Sequence, residues 1–259
     1  MICLFRVSSE DAEWAFLKKE REMSYVFESR VRYSEIGADG YLTLQGIVNY
    51  FQDCCIFHSE AVGMGVSRCK ETKKGWVLSS WQILVERYPQ LGETLVVKTW
   101  PYDFKGFLGS RNFTMETAEG DRLAYANSLW SFVNTETGMP VKLREEDTAA
   151  YQLEEKLEMA YAPRKVHLPE NMKNAPKIQV MHFHVDTNHH VNNGQYVQMA
   201  QEYLPEDFVI GQLRAEYKQQ AHLGDWIFPQ IRLEDDLCVV ALEDEKGNPY
   251  CVTEFQRQL

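Results

Sequence analysis

Polar and apolar positions along the chain change period twice, and the same way each time. Residues 25–33, YVFESRVRY, alternate as a half-buried strand does. A turn follows, SEIGADGYLTLQ. Ile47, Tyr50, Phe51 and Cys54 then fall on one face of a helix. In the second half, 178–185 (IQVMHFHV) is again strand-like, and DTNHHVNN is again the turn. Tyr196, Met199, Ala200 and Tyr203 repeat the helical face. Residues 76–94, WVLSSWQILVERYPQLGET, then align without a gap with 208–226, FVIGQLRAEYKQQAHLGDW. Strands are expected at 94–102, 107–118 and 122–134 in the first copy, and at 226–234, 237–243 and 249–257 in the second. GDR at 120–122 and KGNP at 246–249 read as hairpin turns.

Each half therefore reads strand, long helix, then about four antiparallel strands. A helix wrapped by such a sheet is a hotdog, and the repeat predicts an α+β double hotdog in one chain. The expected organisation is a helical N-terminal extension over 1–24 and a first repeat over 25–137. A linker over 138–176 and a second repeat over 177–259 complete it. The first repeat has an insertion, HSEAVGMGVSRCKETKKG. The linker carries a segment expected to be helical, TAAYQLEEKLEM, and the breakers Pro163, Pro169 and Pro176.

Composition narrows the function. Hydrophobic residues make up 44% of the chain, enough for a real core. No apolar run is long enough to span a membrane, and the N-terminus looks like neither a secretory nor a transit signal. The six cysteines show no CxxC pair and read as reduced thiols of a cytoplasmic protein. A formal charge of −11 argues against nucleic acid as a partner.

The chemistry gathers before the second helix. Asp186, Asn188, His190, Asn192 and Asn193 surround a helix start, whose N–H groups and partial positive charge can hold a carbonyl oxygen as charge develops on it. The first copy has Glu35, Gly37, Asp39, Tyr41 and Thr43 there, with Tyr41 where His190 stands, so one working site is expected. Asp186 can deprotonate or orient a water, or it can hold His190 in the useful tautomer and leave the imidazole as base. Backbone N–H groups near 191–193 would face the oxyanion. Asn192 and Asn193 also suit helix N-caps, and His189 suits a turn. On a strand, His182 and His184 would share a face with Asp186, a conceivable metal set, but no metal or cofactor is expected. Ile47, Phe51 and Trp81 are simplest as core, and an acyl tunnel into the first half is their functional reading. Lys73 and Lys74, with Arg68 and Lys70, form a local basic loop.

The motif Asp186-x-Asn188-x-His190-Val191-Asn192-Asn193 resembles the active-site motif of the acyl-acyl carrier protein thioesterases of plants and bacteria. EIGAD (35–39), VERYP (85–89), GET (92–94), NSLWSFVNTETG (127–138) and AEYKQQAHLGD (215–225) resemble the same family in the same order. The resemblance implies hydrolysis of a fatty acyl thioester, with Asp186, Asn188 and His190 around it. It implies acyl carrier protein, with its 4'-phosphopantetheine-linked acyl chain, as partner, and Lys73 and Lys74 as candidates to meet it. A homodimer is left open. The family's water-activating glutamate falls at Gln220, which cannot be a base and can only orient water or donate a hydrogen bond. The cysteine common in plant members falls at Ala221. Three rivals remain: a coenzyme A thioesterase, a hotdog hydratase and a non-catalytic acyl-binding module. The hydratases have one more residue and a Pro between their Asp and His.

Overall fold

The computed structural model describes residues 24–258, so the helical extension expected over 1–24 lies almost wholly outside the described residues. The first half runs β1 (Tyr25–Arg30), α1 (Leu44–Ala61), α2 (Val66–Thr72), β2 (Lys74–Val85), β3 (Thr94–Lys105), β4 (Leu108–Thr117) and β5 (Arg122–Asn134). A short helix α3 (Glu145–Thr148) and the two-residue strands β6 (Lys173–Asn174) and β7 (Ile178–Gln179) lead on. The second half follows with α4 (Asn193–Gln201), β8 (Ile210–Tyr217), β9 (Trp226–Leu233), β10 (Leu237–Glu243) and β11 (Pro249–Arg257). A single antiparallel sheet is ordered β1-β3-β4-β5-β2-β8-β11-β10-β9-β6, with β7 pairing on β9.

The aligned segments meet at the seam. β2 pairs with β8 so that Gln82 lies opposite Arg214, Ser80 opposite Glu216 and Leu84 opposite Gln212. An approximate twofold axis passes here. The sheet curls around both helices, which is the double hotdog. Ile47, Phe51 and Cys54 of α1 are fully buried against Trp81, Ile83, Phe113 and Met115. Tyr196, Val197 and Ala200 of α4 meet Leu213, Ala215 and Val240. Tyr203 continues the expected apolar stripe but lies past the end of α4.

Two expected elements differ. The strand expected over 178–185 is only Ile178–Gln179, and His182–His184 form a 3-10 turn. The linker segment TAAYQLEEKLEM is not helical, since α3 stops at Thr148 and the chain crosses the outer face of the sheet extended. Side chains of the sheet supply the backbone partners that a helix would otherwise supply to itself. The indole of Trp100 donates to Glu155 O, and Asn112 Oδ1 accepts from Leu157 N. Gln82 donates to Ala160 O at 2.9 Å and accepts from Ala162 N at 2.8 Å. Arg214 holds the carbonyls of Pro163 and Lys165, and the buried Glu216 accepts from Val166 N. Val166 and Met172 then close a small apolar cluster over Val239, Ala241 and Val252.

No helix among the described residues is long and apolar enough to cross a membrane. The cysteines Cys54, Cys55, Cys69, Cys238 and Cys251 are free thiols, and Cys3 lies outside the described residues.

Candidate active site

The turn before α4 is closed by its own backbone. Asp186 N donates to His190 O, Val185 bridges Val191, and Asn192 N donates to His184 O. His189 takes a left-handed φ of 63°, the turn role its position suggested. The first half builds the same turn, where Ile36 bridges Leu42 and Gly40 holds the left-handed position. Helix caps also match. Asn192 Oδ1 accepts from Gly194 N at 2.8 Å, and Thr43 Oγ1 accepts from Gly46 N at 3.0 Å.

Within the turn, Asp186 Oδ1 accepts from Asn188 N at 2.8 Å, and the Asn188 amide reaches Asp186 Oδ2 at 3.5 Å. Asn188 thus orients the carboxylate. His190 is half-buried, and burial lowers its pKa first. His222 and His189 lower it further, while Asp186 raises it. The imidazole is therefore biased towards its neutral, proton-accepting form. Val191 N and Asn192 N are already bonded, to Ala221 O and His184 O. Asn193 is the first residue of α4.

Asn192 is the N-cap, and Asn193 is not. The Asn193 amide instead donates to Gln52 of α1 at 3.3 Å, and its carbonyl accepts from the Tyr217 hydroxyl at 3.1 Å. This ties the start of α4 to the helix of the other half. Gly194 lets the two helices approach, because a Cβ there would stand 2.8 Å from Asn49 Oδ1.

The strand-face reading of His182, His184 and Asp186 is overturned. In the 3-10 turn His182 is exposed, while His184 is buried with its Nδ1 accepting from Met181 N at 2.9 Å. Phe183, which a strand would have put on the face opposite those three, is 74% exposed. Three groups without a common face make no metal set, and among the described residues no cluster of His, Cys, Asp and Glu suits an ion.

Other candidates fall in three places. Gln220 follows β8, and its side chain is exposed and makes no hydrogen bond to the motif. Ile47, Phe51 and Trp81 are packed in the first half, with Trp81 against Phe51 and Phe113 at ring distances of 6.1 and 4.9 Å. The buried indole N–H of Trp81 has no partner. Lys73 pairs with Glu136 at 2.7 Å, and Lys74 pairs with Asp147 at 3.4 Å and Glu146 at 3.8 Å. Their charge is locally answered, which weakens the basic loop as a docking patch. His222 was missed. Its ring lies 4.9 Å from that of His190, at 72°. The gapless alignment places it opposite Gln90, which the structure puts beside Tyr41, the residue that matches His190.

Residues 22–151 match the acyl-ACP thioesterase N-terminal domain, and residues 168–247 match the C-terminal domain of the same family. The chain belongs to the acyl-acyl carrier protein thioesterase family. Among curated members of that family, a chloroplastic acyl-[acyl-carrier-protein] hydrolase of Cuphea viscosissima is 25% identical over 214 residues, 73% of this chain and 50% of that protein. A chloroplastic oleoyl-acyl carrier protein thioesterase of Arabidopsis thaliana is 24% identical over 235 residues, 80% of this chain and 63% of that protein. The chain spans about half the length of several curated relatives that it matches. The crystal structure of an acyl-ACP thioesterase from Bacteroides thetaiotaomicron superposes with a TM-score of 0.85 at 20% identity, covering 92% of this chain and 99% of that one. The 12:0-ACP thioesterase from Umbellularia californica gives 0.78 at 19% identity, covering 92% and 98%. These two superpositions support the double hotdog fold of the family member described here.

Proposed function

We propose that this chain hydrolyses the thioester of a fatty acyl group carried on acyl carrier protein, releasing free fatty acid and holo-acyl carrier protein. The observation that carries the reading is a complete Asp186–Asn188–His190 turn at the start of α4 in a member of this family. The working sequence assigns one role to each group. The substrate carbonyl accepts from Asn193 N–H at the positive end of the helix. His190, biased neutral, takes a proton from a water, and the oxygen of that water attacks the carbonyl carbon. Asp186, held by Asn188, stabilises the imidazolium that forms. The C–S bond breaks, and the proton passes from His190 to the leaving sulfur. No covalent acyl-enzyme is needed, since the turn contains no Ser or Cys.

The acyl chain lies against Ile47, Phe51 and Trp81 of the first half, and Asn192 and Asn193 meet the thioester end. The free thiols among the described residues suit the cytoplasm as the site of action. The deciding experiment measures free thiol released from a panel of short- to long-chain acyl-acyl carrier proteins, beside the same chains on coenzyme A. Turnover is expected on at least one carrier-bound chain, with the carrier preferred over coenzyme A. Silence on every carrier-bound chain would remove this function.

A further inference from the structure

Where the family resemblance expects a carboxylate, the chain has Gln220, exposed and without a bond to the motif. The turn after β8 instead brings His222 to His190, edge against face, with ring centres 4.9 Å apart. The backbone holds His222 in this place from both sides. Ala221 is fully buried, its N–H donates to the Tyr196 hydroxyl at 2.9 Å, and its carbonyl accepts from Val191 N at 2.9 Å. His222 N donates to Asp225 Oδ2 at 2.7 Å.

The first half repeats this construction with different chemistry. Leu42 N donates to Pro89 O, and Gln90 N donates to Glu93 Oε2 at 2.9 Å. The facing side chains there are Tyr41 and Gln90, joined by an ordinary hydrogen bond of 3.3 Å. The half that carries the Asp186 motif has two imidazoles in the same two places. The groups acting on His190 come from two elements: Asp186 and His189 of its own turn, and His222 of the turn after β8. Of these, only Asp186 favours the imidazolium.

We propose that His222 is a positioning residue for His190, fixing the imidazole by the edge contact between the turn after β8 and the turn before α4. His222 in that place also lowers the His190 pKa, which favours the free base that accepts a proton from water. The proposal rests on the reading of His190 as proton acceptor in thioester hydrolysis. His222 exchanges no proton with the substrate.

The test compares wild type with His222→Gln, the residue that the first half uses, and with His222→Arg, which carries a fixed charge. Position 222 is exposed, so both variants should keep the fold, which thermal unfolding checks. The His190 ring is titrated directly by NMR, without substrate. The charge effect predicts that His222→Gln moves the His190 titration to higher pH, and that His222→Arg keeps it at or below the wild-type position. On carrier-bound substrate, the acid limb of kcat/KM should move in the same order, with kcat at high pH changed less than about threefold, well short of losing an acid-base group. A His190 titration unchanged in both variants, or moved the same way by Gln and Arg, would overturn the proposal. Because that titration needs no substrate, failure of the thioesterase reading shows separately, as absent turnover in wild type.

Discussion

His190 and Asp186 divide the work of one turn. Burial lowers the pKa of the imidazole, and the neighbouring Asp186 is the one group acting on it that favours the imidazolium. Removing either group should lower kcat by roughly a hundredfold or more, as losses of acid-base groups do. His190→Ala and Asp186→Asn should both unfold close to the wild-type temperature, since neither is part of the core. Near-wild-type kcat in a folded variant would take that residue out of the chemistry. In wild type, kcat/KM should rise with pH through a pKa below the ordinary histidine value, because His190 must lose its proton to act and its environment disfavours that proton. An acid limb above that value would contradict the assignment of His190 as base. Gln220 is exposed and detached from the motif, so Gln220→Ala should lower kcat by no more than about tenfold, the reach of one neutral hydrogen bond of ~0.5–1.5 kcal/mol.

Helix starts provide a control for this chemistry at the level of elements. Thr43 caps α1 and Asn192 caps α4, each accepting one backbone hydrogen bond. Replacing either with Ala should cost about 1 kcal/mol of stability. If Asn193 N–H is the oxyanion donor proposed above, only Asn192→Ala should also lower kcat strongly. Urea unfolding and kcat measured on the two variants make the comparison. Equal kcat values at equal stability loss would mean that the α4 start plays no special part. The cross-link from Asn193 to Gln52 adds a second restraint, so the first half helps to hold a helix start belonging to the second.

Across the whole molecule, the seam between β2 and β8 and the strap of linker over it join the halves. Gln82 stands at the middle of both. It is buried opposite Arg214, and its amide serves Ala160 O, Ala162 N and Gln212 Oε1. Gln82→Leu would take away the partner of the part-buried linker groups Ala160 O and Ala162 N, at about 0.5–1.5 kcal/mol for each hydrogen bond lost. The midpoint in urea should fall by the corresponding amount with the m value unchanged. A midpoint equal to wild type would mean that the strap is not held there. At the same scale, a chain of charge −11 would need a positive surface to meet an acidic partner, and Lys73 and Lys74 are engaged with their own acidic neighbours.

The repeat, the double hotdog and the polar turn before the second helix were legible from sequence, because period and spacing are local properties. Strand and helix periods declare themselves over a few residues, and the gapless alignment of 76–94 with 208–226 pointed to the seam where β2 and β8 now pair. What sequence could not decide depends on partners distant along the chain. TAAYQLEEKLEM has helical composition, yet the outer face of the sheet offers its backbone Trp100, Asn112 and Gln82, and these bonds hold it extended. The alternating residues before Asp186 suggested a strand, but His184 folds inward to accept from Met181 N and makes a tight turn. His222 comes to His190 only because Ala221 is pinned by Tyr196 and Val191, contacts across two elements that no local pattern records. Local propensity chose the elements. Long-range hydrogen bonding, strongest where backbone groups are buried and must be satisfied, decided where their side chains meet.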